Sequence, residues 1–207
     1  MKCGAYPDES RSTNTVPMKK RKGLVEVPWK TLSNREVYRN KWLSLREDQV
    51  ELPDGQRSIY GVVTCGDCVG VLPFVDPTTV LLIKQYRYVA KRLTWEMPTG
   101  GVHQGETIED AAQRELGEEV AYRAERLTWL STYHTSKSVM DETAHLFLGE
   151  ELVKLELDPD ETEFIEVRPF PFKRVLQMVL SGEIMDSMTI IAVLHVARSR
   201  GPSAAPT

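Results

Sequence analysis

Apolar and polar positions along this chain fall into two periods. Val80-Leu81-Leu82-Ile83 is an unbroken apolar run, as expected of a strand buried on both faces. A second run, Val69 to Val75, precedes it across the turn signal Asp76-Pro77-Thr78. The spacing then changes. Ile108, Ala111, Ala112, Glu115, Leu116 and Glu119 recur at three and four residues, which predicts a helix, and Thr107 followed by Asp110 is a start of the capping-box kind. Upstream, the pattern predicts extended segments at Leu24–Val27, Glu36–Arg39 and Trp42–Leu52. Pro53-Asp54-Gly55 is a turn, with Gln56–Val63 as the returning strand. Downstream it predicts strands at Leu127–Tyr133 and Thr143–Leu148 around a loop, His134 to Glu142. Leu155 to Glu163 is acidic and aperiodic, a loop before a strand at Phe164–Val167. Pro171 opens a helix with Val175, Leu176 and Val179 on one face, ended near Gly182. Asp186 or Ser187 caps a last helix whose apolar set is Ile190, Ile191, Val193 and Leu194.

These elements compose an α/β fold, an α/β/α sandwich with a mixed sheet, preceded by a small β-module. The expected division is a tail at 1–23, the module at 24–63, the main domain at 64–200 and a second tail at 201–207. Composition agrees: 207 residues at 41% apolar can bury one good core, or one core and an appendage. A net charge of −4 gives no basic footprint for nucleic acid. No apolar run approaches the roughly eighteen residues of a membrane span. With no apolar signal region at the N-terminus, the expectation is a cytoplasmic protein. Lys19-Lys20-Arg21-Lys22 could touch phosphates or be a solvated tail. Of the three cysteines, Cys65 and Cys68 have C-x-x-C spacing. A zinc site would need two further ligands, and a thioredoxin-like motif would open a helix where a strand follows here. A glycine-bearing turn with two incidental thiols is the better account.

The chemistry concentrates in the helix after Gly100-Gly101. Glu115, Glu118 and Glu119 stand three and four residues apart, on one side of that helix. Carboxylates so placed repel one another unless a cation sits over them. Hard oxygen ligands of this type suit Mg²⁺ or Mn²⁺, and Mg²⁺ commonly bridges to phosphate oxygens.

Gly100, Glu106, Arg114, Glu115, Leu116, Glu118 and Glu119 resemble the Nudix box, Gly-x5-Glu-x7-Arg-Glu-U-x-Glu-Glu-x-Gly-U with U apolar. The departures are Ala121 for the last glycine and Tyr122 for the last apolar residue. Alanine there predicts that the chain leaves the helix without a left-handed residue. Lys84-Gln85-Tyr86-Arg87, Trp95-Glu96-Met97-Pro98-Thr99-Gly100-Gly101, the run Ser136 to His145, Glu163 to Val167 and Gly182 to Asp186 look like segments of the ADP-ribose pyrophosphatase branch. Thr99 stands where that branch has alanine, and Ser136 or Lys137 where many members have proline.

The resemblance implies a metal-dependent hydrolase that splits the diphosphate of ADP-ribose into AMP and ribose 5-phosphate. It implies that Glu115, Glu118, Glu119 and the carbonyl of Thr99 hold the ions, which neutralise the diphosphate and activate water. Arg114 would orient Glu118, and Glu106 would support the loop. Glu161 or Glu163 would be the general base, with Glu142 in reserve; each could equally be a solvated loop carboxylate. Arg87 would contact phosphate and Glu96 the ribose or a metal-bound water. Trp42 and Tyr60 would sandwich the nucleobase, or are ordinary core aromatics. His103, His134, His145 and His195 receive no role. Trp29, Tyr38, Trp42 and Tyr60 on a small β-module point to a homodimer with shared sites, against a monomer whose module folds back on its own core. Two other functions stay open: a pyrophosphatase of GDP-mannose or another nucleotide sugar, and a catalytically silent nucleotide-binding regulator.

Overall fold

The computed structural model describes residues 29–156 and 165–201. The expected strand at Leu24–Val27 and the acids Glu161 and Glu163 lie outside them, as do 1–23 and 202–207. A seven-stranded mixed sheet forms the centre, built from β4 (Cys68–Asp76), β5 (Thr79–Arg87), β6 (Arg92–Glu96), β7 (Thr99–Gly101), β8 (Tyr122–His134), β9 (Thr143–Lys154) and β10 (Glu166–Pro171). Its main order is β10-β5-β4-β9-β8, with β6 added to β5 and β7 to β4. The β4–β9 pair is parallel, from Cys68 beside Ala144 to Pro73 beside Gly149; the other pairs are antiparallel.

Apolar residues alternate between two cores because successive side chains of a strand point to opposite faces. Val71, Leu81 and Ile83 pack with Ala111, Ala112 and Leu116 of helix α1 (Ile108–Val120) on one face. Leu72, Val80 and Leu82 pack on the other with α2 (Phe172–Leu180) and α3 (Ser187–Ser199). The unbroken run in β5 therefore serves two layers. No helix among the described residues is long and apolar enough to cross a membrane.

Before this sandwich stands a separate antiparallel sheet of β1 (Lys30–Arg39), β2 (Ser44–Glu51) and β3 (Arg57–Thr64). Every residue of β1 is exposed. The end of β3 is joined to the loop after β8: Val63 N–H donates to the Val139 carbonyl at 2.8 Å, and Asp141 N–H to the Val63 carbonyl at 3.1 Å. Thr64 Oγ1 adds a bond to Asp141 at 2.8 Å.

Four sequence expectations need correction. The helix of the acid cluster does end in a left-handed residue, Ala121, at φ 57° and ψ 41°. Strand β8 begins at the next residue, so the chain must reverse within one position, and the Ala121 N–H closes on the Gly117 carbonyl. Pro171 ends β10 and precedes α2 rather than opening it, because its neighbours still pair with β5. Trp42 precedes β2, where Asn40 Oδ1 accepts from the Trp42 and Leu43 amides and holds a turn. Strands β6 and β7, and the first five residues of β8, were not expected at all; they are short or carry polar residues on an exposed face.

Candidate active site

Helix α1 is fixed at its start by Thr107, whose hydroxyl accepts from the Asp110 amide at 3.1 Å, as its sequence predicted. Its acids separate by burial. Glu115 and Glu119 are buried, whereas Glu118 is half exposed. Arg114 gathers most of the cluster. Its guanidinium donates to Glu106 at 2.9 and 3.0 Å, to Glu115 at 2.7 Å, to Glu118 at 3.0 Å and to the Gly101 carbonyl at 2.8 Å. That places one cation against three carboxylates and ties α1 to β7. Glu106 also accepts from the His103 amide at 3.0 Å, so it supports the loop before the helix. Arg114 and this amide hold its carboxyl down to about 2, while the acids push the Arg114 pKa upward.

Gly100 is required by its neighbour. A Cβ on it would lie 1.9 Å from the Glu115 carboxyl group, so any side chain there must push that carboxylate aside. Glu119 is placed from the same strand, accepting from the Thr99 amide at 2.9 Å. Among the described residues, no three acidic, imidazole or thiol groups stand close enough together to hold a metal ion as their side chains are oriented. Arg114 accounts for part of this, since it engages Glu115 and Glu118 itself.

On the far side of Thr99, Gly100 and Gly101 opens a cavity of about 660 Å³. Cys65, Asp67, Cys68 and Glu142 line it, as do Arg87, Arg92, Glu96, Met185 and Asp186. Glu142 accepts from the Cys65 thiol at 3.7 Å. Burial, with Glu142 next, pushes Cys65 up to about 11 and Cys68 to about 12, so both are protonated and unreactive near neutrality. Gly66 at φ 83° makes the turn and Cys68 opens β4, in keeping with incidental thiols at a glycine turn.

Arg87 and Glu96 are indeed brought together, but with each other. Arg87 Nε lies 3.0 and 2.9 Å from the two Glu96 oxygens, and Nη2 and the Thr94 hydroxyl also donate to that carboxylate. Glu96 is 2% exposed. Trp42 and Tyr60 are not brought together within one chain. The hairpin register sets Tyr60 opposite Asp48, and its ring meets Trp29 edge-on at 5.7 Å. Trp42 is 70% exposed, with Lys41 over its ring. Sequence reasoning missed Arg92 and Met185 as cavity residues; the alternation Arg92-Leu93-Thr94-Trp95-Glu96 could have marked the strand that carries the first.

A profile described as the NUDIX domain matches residues 66–186. The chain belongs to the Nudix family. A second profile, the nucleoside diphosphate sugar hydrolase N-terminal domain, matches residues 29–63 of this Nudix chain. It is 36% identical over 169 residues to an ADP-ribose pyrophosphatase of Bacillus subtilis (strain 168), covering 81% of the chain and 91% of that protein. It is 32% identical over 169 residues to the methanol dehydrogenase activator of Bacillus methanolicus, with the same two coverages. A crystal structure of an ADP compounds hydrolase superposes with a TM-score of 0.75 at 22% identity, over 84% of this Nudix chain and 96% of the other; that likeness concerns the fold.

Proposed function

We propose that this Nudix hydrolase splits the diphosphate of a nucleoside diphosphate derivative, with ADP-ribose, giving AMP and ribose 5-phosphate, as the first substrate to test. The observation that carries the reading is the polarity of the site. Acids of α1 crowd against Thr99 and Gly100, which line a cavity, and Arg87 and Arg92 line it too. A diphosphate needs both cations and guanidinium donors.

The donor set fits a hard divalent ion. Glu106, Glu115 and Glu118 share a single guanidinium, and all the side-chain donors are oxygens, which suit Mg²⁺ or Mn²⁺. Glu115, Glu118, Glu119 and the Thr99 carbonyl would hold it. When bound, the ion supplies charge neutralisation and an activated water. The chain's own part is positioning. Arg114 and Gly101 fix α1 to β7, and Gly100 leaves room for the Glu115 carboxylate. Water attacks one phosphorus, the bridging P–O bond breaks, and a loop carboxylate takes the water's proton. Glu142 stands at the cavity and supports this role; Glu161 and Glu163 are the candidates outside the described residues.

The likeness to an activator protein supports one second reading, a nucleotide-binding regulator. Purified protein with Mg²⁺ is to be offered ADP-ribose, GDP-mannose and other nucleotide sugars. AMP from ADP-ribose is the expected product; GMP from GDP-mannose would move the substrate, and binding without turnover would favour the regulator.

Two further parts belong to the proposal. The uncovered apolar residues Trp29, Val37, Tyr38 and Ile59 of the small sheet support a homodimer, in which Trp42 or Tyr60 reaches the nucleobase of the partner site. Light scattering near twice the chain mass is the expected result, and 23.5 kDa would exclude it. The unbridged thiols of Cys65 and Cys68 support a reducing compartment, the cytoplasm.

A further inference from the structure

We infer that Cys65 is a positioning residue for Glu142, and that the link between the two sheets is the splint holding this acid at the cavity. This rests on the hydrolase reading of the site, in which Glu142 meets the substrate or its attacking water.

Three observations converge. First, the link brackets Glu142. Strand β3 ends at Thr64 and β4 starts at Cys68, and a parallel bridge joins Val63 to Met140. From there the two segments run side by side. Thr64 Oγ1 donates at 2.8 Å to Asp141, the residue before Glu142. Asp67 Oδ1 accepts at 3.2 Å from the amide of Thr143, the residue after it. Between these two bonds the Cys65 thiol donates to Glu142 Oε1 at 3.7 Å. Second, the link is itself anchored beside the acid-bearing helix. The Asp67 carbonyl accepts from the Val102 amide at 2.9 Å, and Cys68 pairs with Gly101 of β7 as well as with Ala144 of β9. Glu142 is therefore fixed relative to the strand that carries Thr99 and Gly100. Third, Cys65 and Glu142 both line the cavity, so this contact is made where a ligand would sit.

The chemistry of the donor suits the task. Among the described residues no lysine or arginine pairs with Glu142, and its side-chain donor is this thiol. Burial keeps the proton on Cys65 near neutrality, so the sulfur donates to the carboxylate and does not repel it. A thiol is a weak donor. It can fix the place of the carboxylate without neutralising its charge, as a guanidinium would, and it leaves the remaining lone pairs for the ligand. Cys65 needs no metal or redox role for this. The small sheet is also tied to the cavity here, because the link is continuous with β3.

The test is a double-mutant cycle in the full-length protein: Cys65→Ala, Glu142→Gln and the two together, with Cys65→Ser as the variant that keeps a donor. Activity is read with Mg²⁺ and ADP-ribose, or whichever nucleotide sugar is turned over fastest. Cys65→Ala should lower kcat/KM about two- to tenfold, the loss expected for one hydrogen bond, and Cys65→Ser should recover most of it. In the Glu142→Gln background the same Cys65→Ala change should cost nothing further, because residues that act as a unit are not additive. Amide hydrogen exchange supplies a readout independent of activity. The Asp141 and Thr143 amides, which bond into the link, should exchange faster in Cys65→Ala and as in wild type in Cys65→Ser. An equal loss in both backgrounds would overturn the inference, as would full kcat/KM in Glu142→Gln or unchanged exchange in Cys65→Ala. Faster exchange in a protein that turns over nothing would uphold the hold on Glu142 while removing the hydrolase reading. Turnover with the same kcat/KM in wild type and Cys65→Ala would do the reverse.

Discussion

Strands β1 and β4 are almost equally long and have opposite surroundings. All ten residues of β1 are exposed, whereas six of the nine in β4 are buried, including Val69, Val71, Leu72 and Phe74. The central sheet is covered on both faces by helices of its own chain. The small sheet buries Asp48 and Val50 of β2 and reaches the rest of the molecule through hydrogen bonds at Val63 and Thr64. The difference teaches that one sheet is covered by its own chain and the other is left open. The acid cluster belongs to the first, and Tyr38 and Ile59 are left exposed on the second.

The largest effect should come from the self-supporting half. Glu119→Gln keeps an acceptor for the Thr99 amide and removes the charge, so turnover should fall by about a hundredfold or more with the fold retained. Steady-state kinetics beside a thermal melt checks both parts; full activity would remove the metal platform.

Next in size is a matched pair across the two sheets. Leu82→Ala, in the fully buried core, should cost about 2–5 kcal/mol at any protein concentration. Ile59→Ala, at 61% exposure, should cost less than about 0.5 kcal/mol in dilute solution and more as concentration rises, if a second copy covers it. Denaturant melts at two concentrations read the contrast. A small, concentration-independent loss at Ile59 would mean that the face stays uncovered.

A smaller gain is expected at the helix end. Ala121→Gly relieves a left-handed alanine but adds freedom to the unfolded chain, for a net stabilisation of about 0.5–1 kcal/mol. A lowered melting temperature would show that the Ala121 conformation carries no strain.

The subtlest effect is on pH dependence. Glu106 is depressed from 4.5 to about 2, so its ion pair with Arg114 stabilises the fold above the unfolded value and is lost as pH falls toward 2. The stability gap between wild type and Glu106→Gln should therefore be present near neutrality and close through that acid window. A gap that widens on acidification would contradict the assignment.

Much of this was legible beforehand because it rests on local periods. The spacing in α1, the Thr107 cap and the four-residue run of β5 each write their structure into adjacent residues. What stayed illegible depends on distant partners. Nothing near Arg87 says that Glu96 will pair with it, and nothing near Val63 says that Val139 will meet it. The left-handed Ala121 was misread because alanine shows no preference for that conformation; the abrupt start of β8 imposes it. Tyr60 and Trp42 looked paired by their separation in sequence, but the register of the hairpin decides such pairings residue by residue.

The parallel β4–β9 pair has a consequence in time. The β4–β5, β5–β6 and β8–β9 pairings join strands adjacent in sequence, so each closes a short loop and can form early. Pairing Cys68 with Ala144 closes a far longer loop and is expected to form later. Thr99 to Gly101 reach the sheet through β4, and Glu142 sits at the entrance to β9. Both segments line the cavity, on opposite sides of this seam. Pulse-labelled amide exchange during refolding should protect β8 and β9 before Val69 to Leu72. A chain released halfway along this path would hold finished hairpins, a formed helix and no pocket.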